Sequence, residues 1–412
     1  MTPRRLVLLT NQYPYTAGDH AFVQNEIDAL AAEFDEVRVF NYCPPRAEPL
    51  AELPRNVSYA GNLYGAAATT KIAGLLRPSA LANLFAAFFG EVKAGALRGH
   101  VKSFFSGAAV GMTVANDPRL RAALDASAGS TTVYSFWGMG AGLAIPWLRP
   151  GLAGVFVRLH GYDLYEELSG YLPLRSAIFQ RVNGILTVSD KGKSYLEQRY
   201  SDAGFSSKVV VRRLGSRNHG SRELRGAAPD STERVVVSCS NVIELKRVDR
   251  IAEALALLAP KQPLRWVHFG GGPLEGELRR KAEMLQGDNL AIELRGAVPH
   301  PEIMKFYESL PVSVFVNVST TEGVPVSIME AISFGVPVVA TDVGGTAEIV
   351  GPELQTGVLI PSDFANAQLA DAVAEILLAP PGTFNPKATW HRLYDAETNS
   401  AATAAYIGQI VP

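Results

Sequence analysis

The stretch Ser319–Gly345, STTEGVPVSIMEAISFGVPVVATDVGG, decides how this chain is read. It opens at the end of an apolar run, Val312–Val318, which has the composition of a buried parallel strand. Thr320–Gly323 is a polar turn. Pro325 suits a first helical position, because its fixed φ fits there and its missing N–H has no helical partner to lose. Ile328, Met329 and Ile332 recur at helical spacing, Gly335 ends the helix, and Val336–Ala340 is a second buried strand. Strand, turn, helix and strand make a βαβ unit, and open α/β sheets bind ligands at the carboxyl ends of their strands. Glu322 lies in the turn, and Glu330 lies in the helix one turn beyond Val326. Between them, Gly323, Val324, Pro325, Val326 and Ser327 form a helix start whose free N–H groups and dipole suit a phosphate or diphosphate. Glu330 can accept hydrogen bonds from ribose hydroxyls, and Glu322 faces whatever hangs from the phosphate's far side. A phosphate flanked by two polyol-binding carboxylates describes a nucleotide sugar.

Working outward, 412 residues exceed what one core usually serves, so two domains are expected. Hydrophobic residues at 47% and charged residues at 19% indicate a globular protein, and a net charge of −2 argues against a nucleic-acid partner. Cys43 and Cys239 form neither a disulfide framework nor a zinc pattern, so a reducing cytoplasm is expected. The apolar run after Arg4 and Arg5 is too short for a signal peptide, and no stretch reaches the length of a membrane span.

Strands are expected at Leu6–Asn11, Glu36–Asn41, Thr132–Trp137, Val155–His160, Gly184–Ser189 and Lys208–Arg212. In the second half they are expected near Arg234–Ser240, Leu264–Gly270, Leu290–Leu294, Val312–Val318, Val336–Thr341 and Gly357–Ile360. A long Ala/Gly/Phe-rich stretch, Gly65–Leu124, reads as helical. The basic, aperiodic run Arg212–Gly226 reads as an interdomain linker. Two blocks of alternating β and α predict two doubly wound domains with a cleft between them.

Glu322, seven residues and Glu330, with the SFGVPVVATDVGG tail, resemble the retaining glycosyltransferases of family 4, the group 1 glycosyltransferases. The resemblance implies the α/β GT-B fold: two Rossmann-like domains facing across a cleft, with a C-terminal helix crossing back to the first. The expected divisions are an acceptor domain at 1–215 with a helical insertion at about 65–124, a nucleotide-sugar domain at 216–388, and a returning helix at 389–412. In that tail Trp390, Leu393, Tyr394 and Tyr406 are expected to pack on the first domain. Family members usually carry an arginine and, five residues on, a lysine on the donor diphosphate. Lys246 matches the lysine, Asn241 stands where the arginine is expected, and Arg247 is the candidate to supply the missing charge. Gly271, in Phe269-Gly-Gly-Gly-Pro273, allows close backbone approach to a ligand or a helix. Leu294-Arg-Gly-Ala-Val298 resembles the segment that reads the nucleobase through main-chain groups near Val298.

In the first half, strand Val155–Leu159 delivers His160, where the family often places a histidine that touches the transferred sugar. Asp163 is expected to cap the next helix. Gly18-Asp19, with Phe22 and Glu26, resembles a family loop facing the cleft, and Asp19 also suits a helix N-cap. The implied reaction moves a hexose-type sugar from a nucleotide-diphosphate donor such as a UDP-sugar to a glycan or lipid-linked acceptor, as in surface polysaccharide synthesis. His160 and Glu322 would hold the sugar, Lys246 the diphosphate and Glu330 the ribose. No cofactor is expected beyond the nucleotide-sugar co-substrate, and no Asp-x-Asp metal motif is present. A nucleotide-sugar epimerase or phosphorylase on the same architecture and a non-catalytic nucleotide-sugar-binding subunit are the alternatives.

The segment Gly65–Met112 departs from the charge of the whole. Lys71, Arg77, Lys93, Arg98 and Lys102 stand against one acid, Glu91, while Leu81, Leu84, Phe85, Phe88 and Val92 recur at helical spacing. Two readings are open: a helix lying on the inner face of an anionic membrane, or an ordinary amphipathic helix packed on the first sheet.

Overall fold

The computed structural model describes residues 3–16, 18–65, 78–125, 129–200, 204–219 and 234–409. Its two compact units are Met1–Leu214 with Glu397–Pro412, and Gly215–Ala396. Each is built on one wholly parallel sheet. In the first unit β1 (Arg5–Thr10), β2 (Glu36–Asn41), β3 (Val57–Asn62), β4 (Thr131–Ser135), β5 (Gly154–Leu159), β6 (Gly184–Thr187) and β7 (Val209–Val211) lie in the order β3-β2-β1-β4-β5-β6-β7. In the second, β8 (Arg234–Cys239), β9 (Leu264–Phe269), β10 (Leu290–Leu294), β11 (Val312–Asn317), β12 (Val338–Thr341) and β13 (Gly357–Ile360) lie in the order β10-β9-β8-β11-β12-β13. Both orders reverse direction beside the unit's first strand. Parallel strands buried on both faces need continuous apolar runs, which is why these segments lack alternation. β5 and β6 are buried throughout.

Of the described strands, the sequence reading omits β3. Only Val57 of its six residues is buried, it lies at the sheet edge, and its register shifts opposite Val39 and Phe40. An edge strand with so little apolar surface leaves no periodic signal.

The helices supply the outer layers. Along Val248–Leu258, Val248, Ile251, Ala252, Leu255 and Leu258 are buried at the spacing of one helical face. Burial of each Leu or Ile is worth roughly 1.5–3 kcal/mol. In the stretch expected to be helical, residues 66–77, with Lys71 and Arg77, lie outside the described residues, and helices span Pro78–Lys93, Val101–Ala115 and Pro118–Asp125. The middle one packs closely on the 3-10 turn Gly140–Trp147 because it carries glycine at the contact. A Cβ on Gly111 would lie 2.2 Å from the Leu143 carbonyl oxygen.

The tail divides differently from the expectation. Trp390 and Tyr394 belong to the second unit, not the first. The Trp390 indole N–H donates to Ser216 Oγ (2.8 Å), and the Tyr394 hydroxyl donates to the Glu348 carbonyl (2.8 Å). Leu393 lies in the same unit. Only the helix Ala396–Gly408 carries the chain to the first unit, where Tyr406 packs edge-on to Phe156 and under Arg212. A short helix with two aromatic hydrogen-bond donors needs acceptors nearby, and the second unit supplies them. The expected linker is described only as far as His219; Ser216 bridges to Asp395 within the second unit.

Candidate functional site

In the second unit the loops after β8 and β11 leave adjacent strands on either side of the point where the strand order reverses, the usual ligand crevice of an open α/β sheet. The first loop carries Lys246 and the second Glu322, and the Thr320 N–H joins them by donating to the Leu245 carbonyl (2.8 Å). Lys246 Nζ lies 2.5 Å from Glu322 Oε1, with both side chains largely buried. The same oxygen accepts from Ser319 Oγ (2.6 Å) and Asn317 Nδ2 (3.3 Å). A carboxylate so held is fixed in direction, and it keeps the Lys246 ammonium at the turn that precedes the next helix.

That helix runs Val326–Ser333. Pro325 is its N-cap rather than its first residue, because its ψ of 119° is extended. Val326 and Ser327 supply the first helical N–H groups, since the Ile328 and Met329 N–H groups already donate to the Pro325 carbonyl. Gly323 and Val324 complete the turn. The glycine tail presses on this turn from behind. Gly344 has φ +54° and a Cβ there would lie 1.6 Å from the Glu322 carbonyl oxygen, while the Gly345 N–H donates to Gly323 O (2.7 Å).

Glu330, one turn into the helix, is buried, and its Oε1 lies 2.7 Å from His300 Nε2. The hydrogen bond to this carboxylate raises the His300 pKa against the opposing effect of burial. His300 opens the helix His300–Ser309, two residues after Val298. His219 stacks on Phe334 at 5.9 Å and lies 6.2 Å from His300, so a second imidazole stands beside the one that meets this carboxylate. Neither histidine was singled out from sequence. His300 carried the fainter signal, a ring placed at a helix start just past the segment expected near a base.

The triple glycine draws three strand ends together. A Cβ on Gly270 would lie 1.8 Å from Ser240 O, and one on Gly272 would lie 2.5 Å from Val242 O. The Gly270 N–H donates to Gly296 O (2.8 Å), and the Val242 N–H donates to Gly271 O (3.0 Å). Gly271 therefore serves backbone packing, and Val298, two residues after Gly296, is half-buried. Asn241 is exposed at the start of the Lys246 loop.

Arg247, the candidate for the missing charge, is turned onto the protein's own backbone. Its guanidinium donates to the carbonyls of Val318 (2.7 Å), Ser319 (3.1 Å) and Ser362 (2.6 Å), and lies over the Phe364 ring. A left-handed backbone at φ +48° turns the side chain back onto these carbonyls, so it clamps the loop.

In the first unit the corresponding reversal lies between β1 and β4. Asp19 occupies it, but its carboxylate caps no helix. It accepts from the Asn11 (2.9 Å), Gln12 (2.9 Å) and Tyr13 (2.7 Å) N–H groups and from the Trp137 indole (2.9 Å), holding the β1 loop by three bonds and tying it to the segment after β4 by a fourth. Gly18 turns the chain with φ +61°, where a Cβ would strike the Gln12 side chain. Trp137, absent from the sequence candidates, also lies 4.1 Å from the His160 ring, with Phe136 at 5.1 Å. His160 is buried, and neither ring nitrogen has a hydrogen-bond partner among the described residues. Asp163 is not a helix cap either. It accepts from the His160 (2.7 Å) and Gly138 (2.8 Å) N–H groups. Burial raises its pKa, but His160, Arg175 and the Gly138 N–H outweigh that and hold it below the usual carboxylate range.

Residues 233–378 match the family model described as glycosyl transferases, group 1. That match lies within the second unit and covers most of it. The chain is 30% identical over 235 residues to a protein named as a colanic acid biosynthesis glycosyltransferase, WcaL, of Salmonella typhimurium, covering 55% of this chain and 55% of that relative. The chain thus spans about half the length of the curated relatives it matches. Two solved structures resemble it across nearly their whole length. Sucrose-phosphate synthase of Thermosynechococcus elongatus superposes with a TM-score of 0.67 at 18% identity, covering 98% of each chain. Anabaena Alr3699/HepE, solved in complex with UDP, superposes with a TM-score of 0.64 at 14% identity, covering 98% of this chain and 99% of its own. The fold of the chain is GT-B, two Rossmann-like parallel-sheet units.

Proposed function

We propose that the protein is a retaining glycosyltransferase that moves a hexose-type sugar from a nucleoside-diphosphate donor to a hydroxyl of a glycan or lipid-linked acceptor in bacterial surface polysaccharide synthesis. The observation that carries this reading is the Lys246–Glu322 pair, held at the reversal point beside the start of the helix that bears Glu330. A cation, a row of backbone N–H groups and a buried carboxylate one turn along match the diphosphate and ribose of such a donor. The UDP in HepE and the pathway in the WcaL name support a UDP-sugar and a polysaccharide acceptor.

In this reaction the acceptor oxygen attacks the anomeric carbon while the carbon–oxygen bond to the diphosphate breaks. The acceptor's proton passes to the departing phosphate oxygen on the same face. Lys246 and the N–H groups at Val326 and Ser327 stabilise the charge left on the diphosphate, so the proposed step calls for no metal ion. Glu322 fixes the sugar from the donor side. Two carboxylates flanking a glycosidic bond from opposite sides define the glycosidase alternative, and a pair eight residues apart around one helix start does not suit it.

A thermal-shift screen of nucleotides and nucleotide sugars tests the donor assignment, since a bound ligand raises apparent stability through mass action. The expected result is a rise with a nucleoside diphosphate and its sugar, followed by acceptor-dependent product with unchanged anomeric configuration. Donor conversion without acceptor, or tight binding with no turnover against glycans, would replace the transferase reading with one of its alternatives.

A further inference from the structure

We infer that His300 is a positioning residue of the donor site, which aims the Glu330 carboxylate at the donor's ribose and holds a positive charge beside it. The inference rests on the reading of the second unit as a nucleotide-sugar site, and adds to it a residue and a proton. Glu330 is buried, and its Oε1 lies 2.7 Å from His300 Nε2. No described residue donates to Oε2, and that oxygen is not sealed from solvent. A carboxylate has about four lone-pair sites. With one taken by the imidazole, Oε2 and the second lone pair of Oε1 are left for two neighbouring hydroxyls.

The fold itself has little use for a histidine at this position. His300 is the first residue of the helix His300–Ser309, where a cation opposes the helix dipole. Half of its side chain stands in solvent, so burial adds little there. Glu330 is its one side-chain hydrogen-bond partner among the described residues.

The groups around the pair leave His300 as the one whose charge matters. Tyr307, Phe334 and His219 stack in a column, with centroids 5.2 and 5.9 Å apart, and His219 stands 6.2 Å from the His300 ring. Burial, then His300 and Arg217, push the His219 pKa down against Glu330 and Glu308. Burial also keeps Tyr307 and Cys239, near Glu330, in their neutral forms, with the Cys239 thiol pushed up to about 12. On its own helix Glu302, Lys305 and Glu308 do not shift His300, and the hydrogen bond to Glu330 raises it against burial. Among the described residues here, His300 therefore changes charge above the ordinary histidine value of about 6.5, and His219 below it.

Electrostatics then sets the sign. A nucleotide sugar brings ionised phosphates to a site that already holds the Glu330 carboxylate. Protonated His300 offsets that carboxylate, so donor affinity is greatest below the folded pKa of His300 and falls as pH rises through it. By reciprocity, bound donor raises that pKa by the logarithm of the same factor.

Calorimetric titration of the full chain with UDP-glucose and with GDP-mannose, between about pH 6 and 8.5, tests this. Each phosphate of these probes is a diester that stays ionised over the range, so any titration belongs to the protein. For a probe that binds, the expected result is an affinity that falls about fivefold as pH rises, with an NMR midpoint for His300 about 0.7 higher in its presence. His300→Ala should weaken binding about tenfold at the acid end and flatten the profile. His300→Gln keeps an N–H for Glu330 but no charge, so it should match wild type at the alkaline end and show no fall. A pH dependence that survives in His300→Ala, equal affinity of all three proteins, or a glutamine variant no tighter than alanine overturns the inference and leaves the donor site in place. Failure of the wild type to bind either probe at any pH would remove the donor reading and this inference with it.

Discussion

Lys246 and Glu322 share one short ion pair, and in the proposed reaction the same ammonium meets the leaving diphosphate. Lys246→Ala should lower kcat by about a hundredfold, the usual effect of removing a stabiliser of a departing anion. Near-normal turnover by Lys246→Ala would end the diphosphate assignment. At Glu330 the proposed loss is in affinity. Glu330→Ala should weaken nucleotide binding by on the order of 1.5–3 kcal/mol, as expected for a charged hydrogen-bond acceptor. The same carboxylate holds His300 above the usual histidine range of about 6.5. A raised folded pKa means that the pair's contribution is fully present below the unfolded value and is lost as pH rises through the folded one. NMR titration of the imidazole should therefore place His300 above free histidine, and Glu330→Gln should bring it down. An unchanged midpoint in the variant would dissociate the two groups.

At the scale of elements, the turn after β11 keeps its shape because a glycine from the loop after β12 lies against it. Gly344→Ala meets both a left-handed φ of +54° and a backbone oxygen that cannot move aside. The conformational cost alone is roughly 1–2 kcal/mol. The expected outcome is a lowered melting temperature together with weaker nucleotide binding, and a variant that keeps both would show that the turn does not depend on this contact. A second consequence lies in the neighbouring strands. His268 of β9 is fully buried, with Nδ1 2.8 Å from Ser238 Oγ of β8, and burial pushes its pKa down to about 4. The unfolded chain takes up this proton near pH 6.5, whereas the folded one resists until about pH 4. Stability should thus fall with acidification across that window, by on the order of 2 kcal/mol at pH 5. Urea denaturation of wild type and His268→Gln at neutral and acid pH measures it, and an equal acid loss in both would assign the effect elsewhere.

For the whole molecule, the chain leaves the first unit at Leu214 and re-enters it at Glu397. The returning helix covers a charged interior. Arg158 of β5 is buried and paired with Glu26 at 2.6 Å, and its other nitrogen donates to Thr403 Oγ1 (3.2 Å). Ser400 donates to the Asn25 carbonyl (2.9 Å), and Ile407 is fully buried. Deleting Glu397–Pro412 should open this pair to water and remove its cover, since a buried ion pair tolerates the loss of a neighbour badly. Calorimetry should show the first unit's transition shifted to lower temperature and the second unit's little changed. A single transition shifted as a whole would mean that the two units unfold together.

Legibility followed the range of the interactions. Both parallel sheets apart from the edge strand β3, the helix after Glu322 and the glycine tail were readable from Ser319–Gly345 and its like, because strand burial, helical spacing and positive φ are set by a few adjacent residues. Lys246 and Glu322 were readable as candidates, but their pairing depends on β8 and β11 lying side by side across 76 residues of chain. Arg247 and Asp19 looked available from sequence. Tertiary structure gave the first three carbonyls and the second four N–H groups, because buried polar groups take whatever partners the fold brings within reach. His300 and Trp137 reached their sites in the same way, from segments whose local patterns carry no mark of the carboxylate or imidazole they meet. The division of the tail at Ala396 and the exposure of Phe85 and Phe89 were likewise decided by packing. A helical repeat shows which residues share a face, and only the folded chain determines which face meets a neighbour and which meets solvent.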